Sequence, residues 1–173
     1  MGVRKAMGNM ASSLSTWGLR HLAHRPAANM PGKIALKIDP RIIAESMDKV
    51  TEGSIVVVGT NGKTTITNMI ADALERQGKS IACNRTGANL AYGVATTLLQ
   101  TEGTVEWGVF ESDELWLPHT LPQVQATYVL LLNLFRDQLD RCGEIDRVQD
   151  AIATALEKSP NTTLLYNADD PLC

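Results

Sequence analysis

Residues 55–65 read IVVVGTNGKTT. Ile55, Val56, Val57 and Val58 form an apolar, β-branched run of the kind found in a strand buried on both faces. Over residues 64–77 the pattern turns helical. Ile66, Met69, Ile70, Ala73 and Leu74 recur at i, i+3, i+4, i+7 and i+8, and Gly78 follows as a C′ glycine. The glycines therefore fall between a strand and a helix start. Free backbone N–H groups and the positive end of the helix dipole hold anions there. Lys63 adds a full positive charge, and Thr64 a hydroxyl suited to magnesium. Triphosphate binding is the chemistry implied.

The common phosphate loop, G-x-x-x-x-G-K-[ST], would need glycine where this chain has Val57. The expected loop is a shorter one, made of Gly59, Thr60, Asn61, Gly62, Lys63 and Thr64, with Thr65 as the next cofactor-binding candidate. An ordinary strand–helix turn with a surface lysine would explain any one of these features. It would not explain their agreement.

With 173 residues, 44% apolar and 20% charged, the chain can form a globular domain with a real core. The three cysteines, Cys83, Cys142 and Cys173, form no C-x-x-C pair. A disulfide framework or complete zinc site is not expected, and a reducing cytoplasm fits. No apolar run approaches the ~18 residues of a transmembrane helix.

The net charge of −3 hides an asymmetry: residues 1–41 carry +6 and residues 42–173 carry −9. In the basic segment Val3, Met7, Met10, Leu14 and Trp17 make one helical stripe. Such a helix can lie on an anionic membrane surface, or cover the edge of its own domain. An Arg-containing, acid-poor start also has the character of an organelle transit peptide. Pro26, Pro31, Gly32, Pro40 and Gly53 punctuate the stretch up to the valine run. Residues 1–50 are accordingly expected to be a basic helix and linker, and residues 51–173 the nucleotide-binding domain.

From there strands and helices alternate. Strands are expected near 54–58, 80–83, 105–110, 127–132 and 162–166, and helices near 64–77, 89–100 and 145–158. The fold class is α/β, a mostly parallel sheet with helices on both faces. Ligands of such sheets bind outside the carboxyl ends of the strands. The residues standing there are Gly59, Asn84, Glu111, Asn133 and Asn167. Glu111 opens a carboxylate cluster with Asp113 and Glu114, and would complete a magnesium shell begun by Thr64. The alternative for the cluster is a solvated turn. Arg85, Gly87 and Asn89 in NRTGANL, and Arg136, Asp137 and Asp140 in NLFRDQLDR, suit either substrate contact or capping and turn chemistry. His119 is expected in a proline-bounded loop. It forms no metal or triad pattern with His21 and His24.

GTNGKTT, NRTGANL, ESDE, NLFRDQLDR and NADDPL, in this order, resemble the central ATPase domain of the Mur ligase superfamily. NRTGAN, NLFRDQLDR and the earlier PGKIAL resemble most the Mur-ligase-like subunits of lipid II isoglutaminyl synthases. The resemblance implies an ATP-dependent carbon–nitrogen ligase. It would phosphorylate the α-carboxyl of D-glutamate in the lipid II stem peptide for amidation by ammonia. A glutaminase (glutamine amidotransferase) subunit would release that ammonia from glutamine. ATP and magnesium are the implied cofactors, and no nucleic acid is. By motif match Lys63 would hold the β/γ-phosphates, Thr64 and Glu111 magnesium, and Asn89, Asn133 and Asp137 would line the pocket.

Two departures bear on the branch. Gln138 stands where amino-acid-adding members carry a histidine for a second magnesium. The following helix has only Lys158, at its end, where those members carry a carbamoylated lysine. Both favour the amidating branch. The family's C-terminal domain, and the zinc ribbon usual in this branch, would lie beyond Cys173, so the domain is expected to be truncated there. The alternatives are another Mur-type ligase, such as a folylpolyglutamate synthase, or an ATP-binding fragment without catalysis.

Overall fold

The computed structural model describes residues 30–134 and 144–173. The expected basic helix of residues 1–25, and the roles expected of Arg136, Asp137, Gln138 and Asp140, lie outside those residues.

Five strands form one parallel sheet in the order β2-β3-β1-β4-β5. They are β1 (Val50–Val58), β2 (Ile81–Cys83), β3 (Val105–Glu111), β4 (Tyr128–Leu131) and β5 (Thr163–Tyr166). The central strand is β1, and the valine run explains why. Val56, Val57 and Val58 are all fully buried although successive residues face opposite sides. Val56 and Val58 enter the larger core with Phe110, Val129 and Leu131. Val57 and Val109 are buried on the other face, where α3 (Lys63–Arg76) lies against β1, β2 and β3.

The end of α3 is built as its sequence predicts. Gly78 takes φ +81°, the Gly78 N–H donates to Glu75 O at 2.9 Å, and the Lys79 N–H donates to Leu74 O at 3.1 Å. These are the two bonds of a Schellman motif. Its apolar stripe needs correction. The buried residues are Thr67 and Ala71, whereas Met69 is 60% exposed and Ala73 is exposed too. Two small side chains let the helix sit close to the sheet, and that turns part of the apolar stripe outward.

The linker expected before β1 is corrected in part. Residues 30–49 form α1 (Met30–Ile38), α2 (Ile42–Ser46) and a 3-10 turn, Met47–Lys49. Ile42 and Ile43 are fully buried. Helix α1 packs on α4 (Ala91–Gln100), and the Gly32 N–H donates to Thr96 Oγ1 at 2.9 Å. A Cβ at Gly32 would overlap Tyr92 O and stand 2.6 Å from Thr96 Oγ1, so only glycine allows this approach. His119 likewise belongs to a helix and not a loop. It lies in α5 (Leu117–Val124), which has Pro118 in its first turn and Pro122 inside. The last helix, α6 (Glu144–Glu157), buries Ile152 and Ala155 and packs against α5.

Candidate active site

The loop between β1 and α3 is held by glycine geometry and by the neighbouring strand. Gly59 has φ +137° and Gly62 φ +84°, both in the region that favours glycine. A Cβ at Gly59 would stand 3.0 Å from Asn133 O and from Leu132 Cβ. The chain just beyond β4 lashes the loop down. Thr60 N–H donates to Asn133 O at 2.9 Å. The side-chain amide of Asn133 accepts from Asn61 N at 3.0 Å and donates to Asn61 O at 3.1 Å. Gly62 caps α3 in the left-handed conformation, so the first N–H groups of the helix open beside Lys63, Thr64 and Thr65. Free N–H groups at a helix start beside a lysine have the chemistry that suits an anion.

The Lys63 ammonium is engaged on several sides. It donates to Gly59 O at 2.6 Å and to Thr60 O at 3.4 Å, and pairs with Glu114 Oε1 at 3.3 Å. The Lys63 and Glu114 side chains are 13% and 12% exposed, so the pair is only weakly screened by water. Glu114 was visible in the sequence only as one of three clustered acids. Its partner lies 51 residues away, and nothing local announces it.

The Thr64 hydroxyl donates to Glu111 Oε2 at 2.7 Å. Glu111 is the last residue of β3, opposite Val57 of β1, and is 3% exposed. A hydroxyl and a carboxylate are hard oxygen donors, and neighbouring ligands of an octahedral magnesium lie about 2.9 Å apart. The separation of this pair fits that spacing. Gly87 bounds the space beside them, since a Cβ there would come within 3.2 Å of Thr64 Oγ1 and 4.0 Å of Glu111 Oε2. The residues present therefore fit a magnesium–nucleotide ligand.

Other candidates take other places. The Asp113 carboxylate accepts from Leu115 N at 3.0 Å and caps a short 3-10 turn, Glu114–Trp116. Arg85 turns outward to Asp72 at 2.7 Å and Glu75 at 2.8 Å on α3. Asn89 is stitched into the site wall, its carbonyl accepting from Asp113 N at 2.7 Å. Asn84 is buried and faces the backbone of Glu111 instead of a pocket. Asn167 makes a turn of its own, accepting from Asp169 N at 3.1 Å. Three residues on, Asp170 accepts from Leu134 N at 2.9 Å, directly after Asn133. That bond and one from Leu172 N hold its carboxyl below the usual range. Burial pushes the Cys83 thiol up to about 11, so it stays protonated and is no nucleophile at neutral pH. Among the described residues no helix is long and apolar enough to cross a membrane.

Residues 57–173 match the sequence family described as the Mur ligase middle domain. The chain belongs to the Mur ligase family. The loop of residues 59–65, Glu111 and Asn133 all fall within the matched residues. This Mur ligase chain is 35% identical over 175 residues to "Lipid II isoglutaminyl synthase (glutamine-hydrolyzing) subunit MurT" of Streptococcus pneumoniae, covering 99% of the chain and 38% of that relative. It is 37% identical over 144 residues to the subunit of the same name from Staphylococcus aureus, covering 83% and 32%. Among solved structures it resembles MurF of Thermotoga maritima in complex with ADP, with a TM-score of 0.66 and 20% identity, covering 82% of this chain and 33% of that one. The last likeness concerns the α/β fold. The chain spans about a third of the length of these relatives.

Proposed function

We propose that this chain supplies the nucleotide-binding core of an amidating carbon–nitrogen ligase. Its carboxylate substrate is the D-glutamate α-carboxyl of the lipid II stem peptide. The observation that carries the reading is the contact of Thr64 Oγ1 with Glu111 Oε2 at 2.7 Å, one residue from Lys63 at a helix start. The choice of branch is supported by the similarity to the two MurT subunits, whose names give the substrate and the use of glutamine.

In this reading the N–H groups at the start of α3 receive the β- and γ-phosphates of ATP. Lys63 neutralises charge that builds on the bridging oxygen as its bond to the γ-phosphorus breaks. Thr64 and Glu111 hold magnesium, which when bound supplies positive charge to the transferring phosphoryl group. The bonds from Asn133 keep the loop still, so that little reorganisation is needed at the moment of transfer. A carboxylate oxygen attacks the γ-phosphorus, ADP departs, and an acyl phosphate remains. Ammonia attacks its carbonyl carbon, phosphate leaves with the electron pair of the C–O bond, and loss of a proton leaves the amide. A glutaminase subunit is the proposed source of ammonia. The lipid-linked acceptor places the reaction at the inner face of the membrane. Pocket roles for Asn89, Asn133 and Asp137 are part of the same proposal.

The test is ADP release by the chain, alone and with a glutaminase subunit, in the presence of lipid II and glutamine. Release that requires lipid II, together with a hydroxamate trapped by hydroxylamine, is expected. ADP release indifferent to lipid II would sink the substrate. A folate acceptor that stimulates release would point to a folylpolyglutamate synthase, and nucleotide binding without any release to a non-catalytic module.

A further inference from the structure

β2 ends at Cys83, yet its partnership with β3 continues by other means. The next residue, Asn84, is 3% exposed and reaches across to the last residue of β3. Glu111 N–H donates to Asn84 Oδ1 at 2.8 Å, and Asn84 Nδ2 donates to Glu111 O at 2.9 Å. The same nitrogen donates to Ala88 O at 2.9 Å. One amide thus satisfies both backbone groups of Glu111 and also holds the loop that carries Gly87.

Other side chains fit this place poorly. Aspartate lacks both donors and would set a charged oxygen against two carbonyl oxygens. Leucine would leave the Glu111 N–H and carbonyl buried without partners, which costs more than the hydrogen bonds contribute. Glutamine is longer by one methylene group. The asparagine is also connected to the rest of the site wall. Asn89 N–H donates to Gly87 O at 2.9 Å, and Asp113 N–H to Asn89 O at 2.7 Å. The segments around 84–89 and 111–113 are therefore tied together by hydrogen bonds, with Asn84 between them.

We propose that Asn84 is a positioning residue for Glu111. It fixes the backbone from which the carboxylate reaches Thr64, so the affinity of the Thr64–Glu111 pair for a divalent cation depends on the amide at position 84. This inference rests on the nucleotide-site reading above. Partners behind a metal ligand typically change metal affinity by about ten- to a hundredfold when removed, and a change of that size is expected here.

The experiment uses the whole chain with ATP, and manganese as a spectroscopic stand-in for magnesium. Manganese binding is followed by electron paramagnetic resonance and melting by circular dichroism, with every variant measured below its own melting temperature. Asn84→Asp and Asn84→Ala are compared with Thr96→Ala. Thr96 is buried between α1 and α4 and bonded to Gly32 N and Tyr92 O, so its loss destabilises without touching the site. Both Asn84 variants should weaken manganese binding about ten- to a hundredfold. ATP binding in excess chelator should change less than twofold, and Thr96→Ala should lower the melting temperature alone. Wild-type manganese affinity in a folded Asn84 variant would overturn the inference, as would an equal loss in Thr96→Ala. Should the unaltered chain bind no manganese with ATP, the nucleotide-site reading itself is wrong.

Discussion

Thr64 and Glu111, 47 residues apart in the chain, meet through one hydrogen bond of 2.7 Å between the start of α3 and the end of β3. Two residues beyond the strand lies Asp113, whose carboxylate faces Leu115 N and not Thr64. The two acids should therefore differ when made neutral. Glu111→Gln keeps the size but removes the charge a hard cation needs. Half-maximal turnover should then require about tenfold more magnesium or beyond, whereas Asp113→Asn should shift the titration less than threefold. Equal shifts in the two variants would mean that Glu111 is not the cation ligand.

Lys63 gives a second test. If it contacts phosphate, Lys63→Ala should weaken ATP binding about ten- to a hundredfold, since a hydrogen bond to a charged group contributes about 1.5–3 kcal/mol. The pairing with Glu114 adds a consequence for stability. Removing lysine alone leaves a carboxylate at 12% exposure without its cation. Lys63→Ala combined with Glu114→Ala should be more stable than the sum of the single losses predicts, by about 1–2 kcal/mol. Additive losses in urea unfolding would show that the pair is not coupled.

A third prediction concerns α1. Gly32→Ala adds one methyl group where Tyr92 O and Thr96 Oγ1 already stand. Overpacking of this kind costs about 1–3 kcal/mol, which in a domain of this size lowers the melting temperature by several degrees. Residues 30–38 being part of the fold, and not a tether, requires that drop. An unchanged thermal transition would contradict the packing of α1 on α4.

A fourth prediction concerns pH at the opposite edge of the sheet. Lys79 bonds Glu106 and Glu52, each at 2.8 Å. Hydrogen bonding by Lys79, and then by Ser80 N, brings the Glu106 carboxyl from 4.5 to about 2, and the Lys79 ammonium is raised above 10.5. A depressed acid stabilises above its unfolded value and loses that contribution as pH falls through its folded value. The raised lysine loses its own contribution at the alkaline end. Glu106→Gln should thus lower the melting temperature by a constant small amount between about pH 5 and 10. The difference should fade from pH 4.5 towards 2. Because the groups are exposed, added salt should shrink it as well. A difference that grows on acidification would reverse the assignment.

How much the sequence revealed depends on how local each cause is. The β-branched valines, the loop glycines and Gly78 act within a few residues of themselves, so strand, loop and helix end were legible. The helices at 30–46 were hidden by Pro31, Gly32 and Pro40, which read as breakers. Yet a proline in a first helical turn loses no hydrogen bond, and Gly32 serves a contact with a segment about sixty residues away. Pro118 and Pro122 concealed α5 in the same way. In the site, Lys63, Thr64 and Glu111 stood out by type and position. The partners of Asn84 and Glu114 lie 27 and 51 residues off, and a linear pattern carries no trace of such pairing.

The charges around the loop also bear on how the two proposed ligands would bind together. Lys63 brings one positive charge, and Glu111 and Glu114 bring two negative ones into a poorly hydrated corner. A highly anionic nucleotide arriving by itself meets a local excess of its own sign, and Glu114 competes with it for the ammonium. A divalent cation seated at Glu111 reverses that balance. In the proposed reading the two ligands would then raise each other's affinity, and by thermodynamic reciprocity by the same factor. On that proposal neither apparent dissociation constant would be a fixed property of this loop, since each would depend on the concentration of the other ligand.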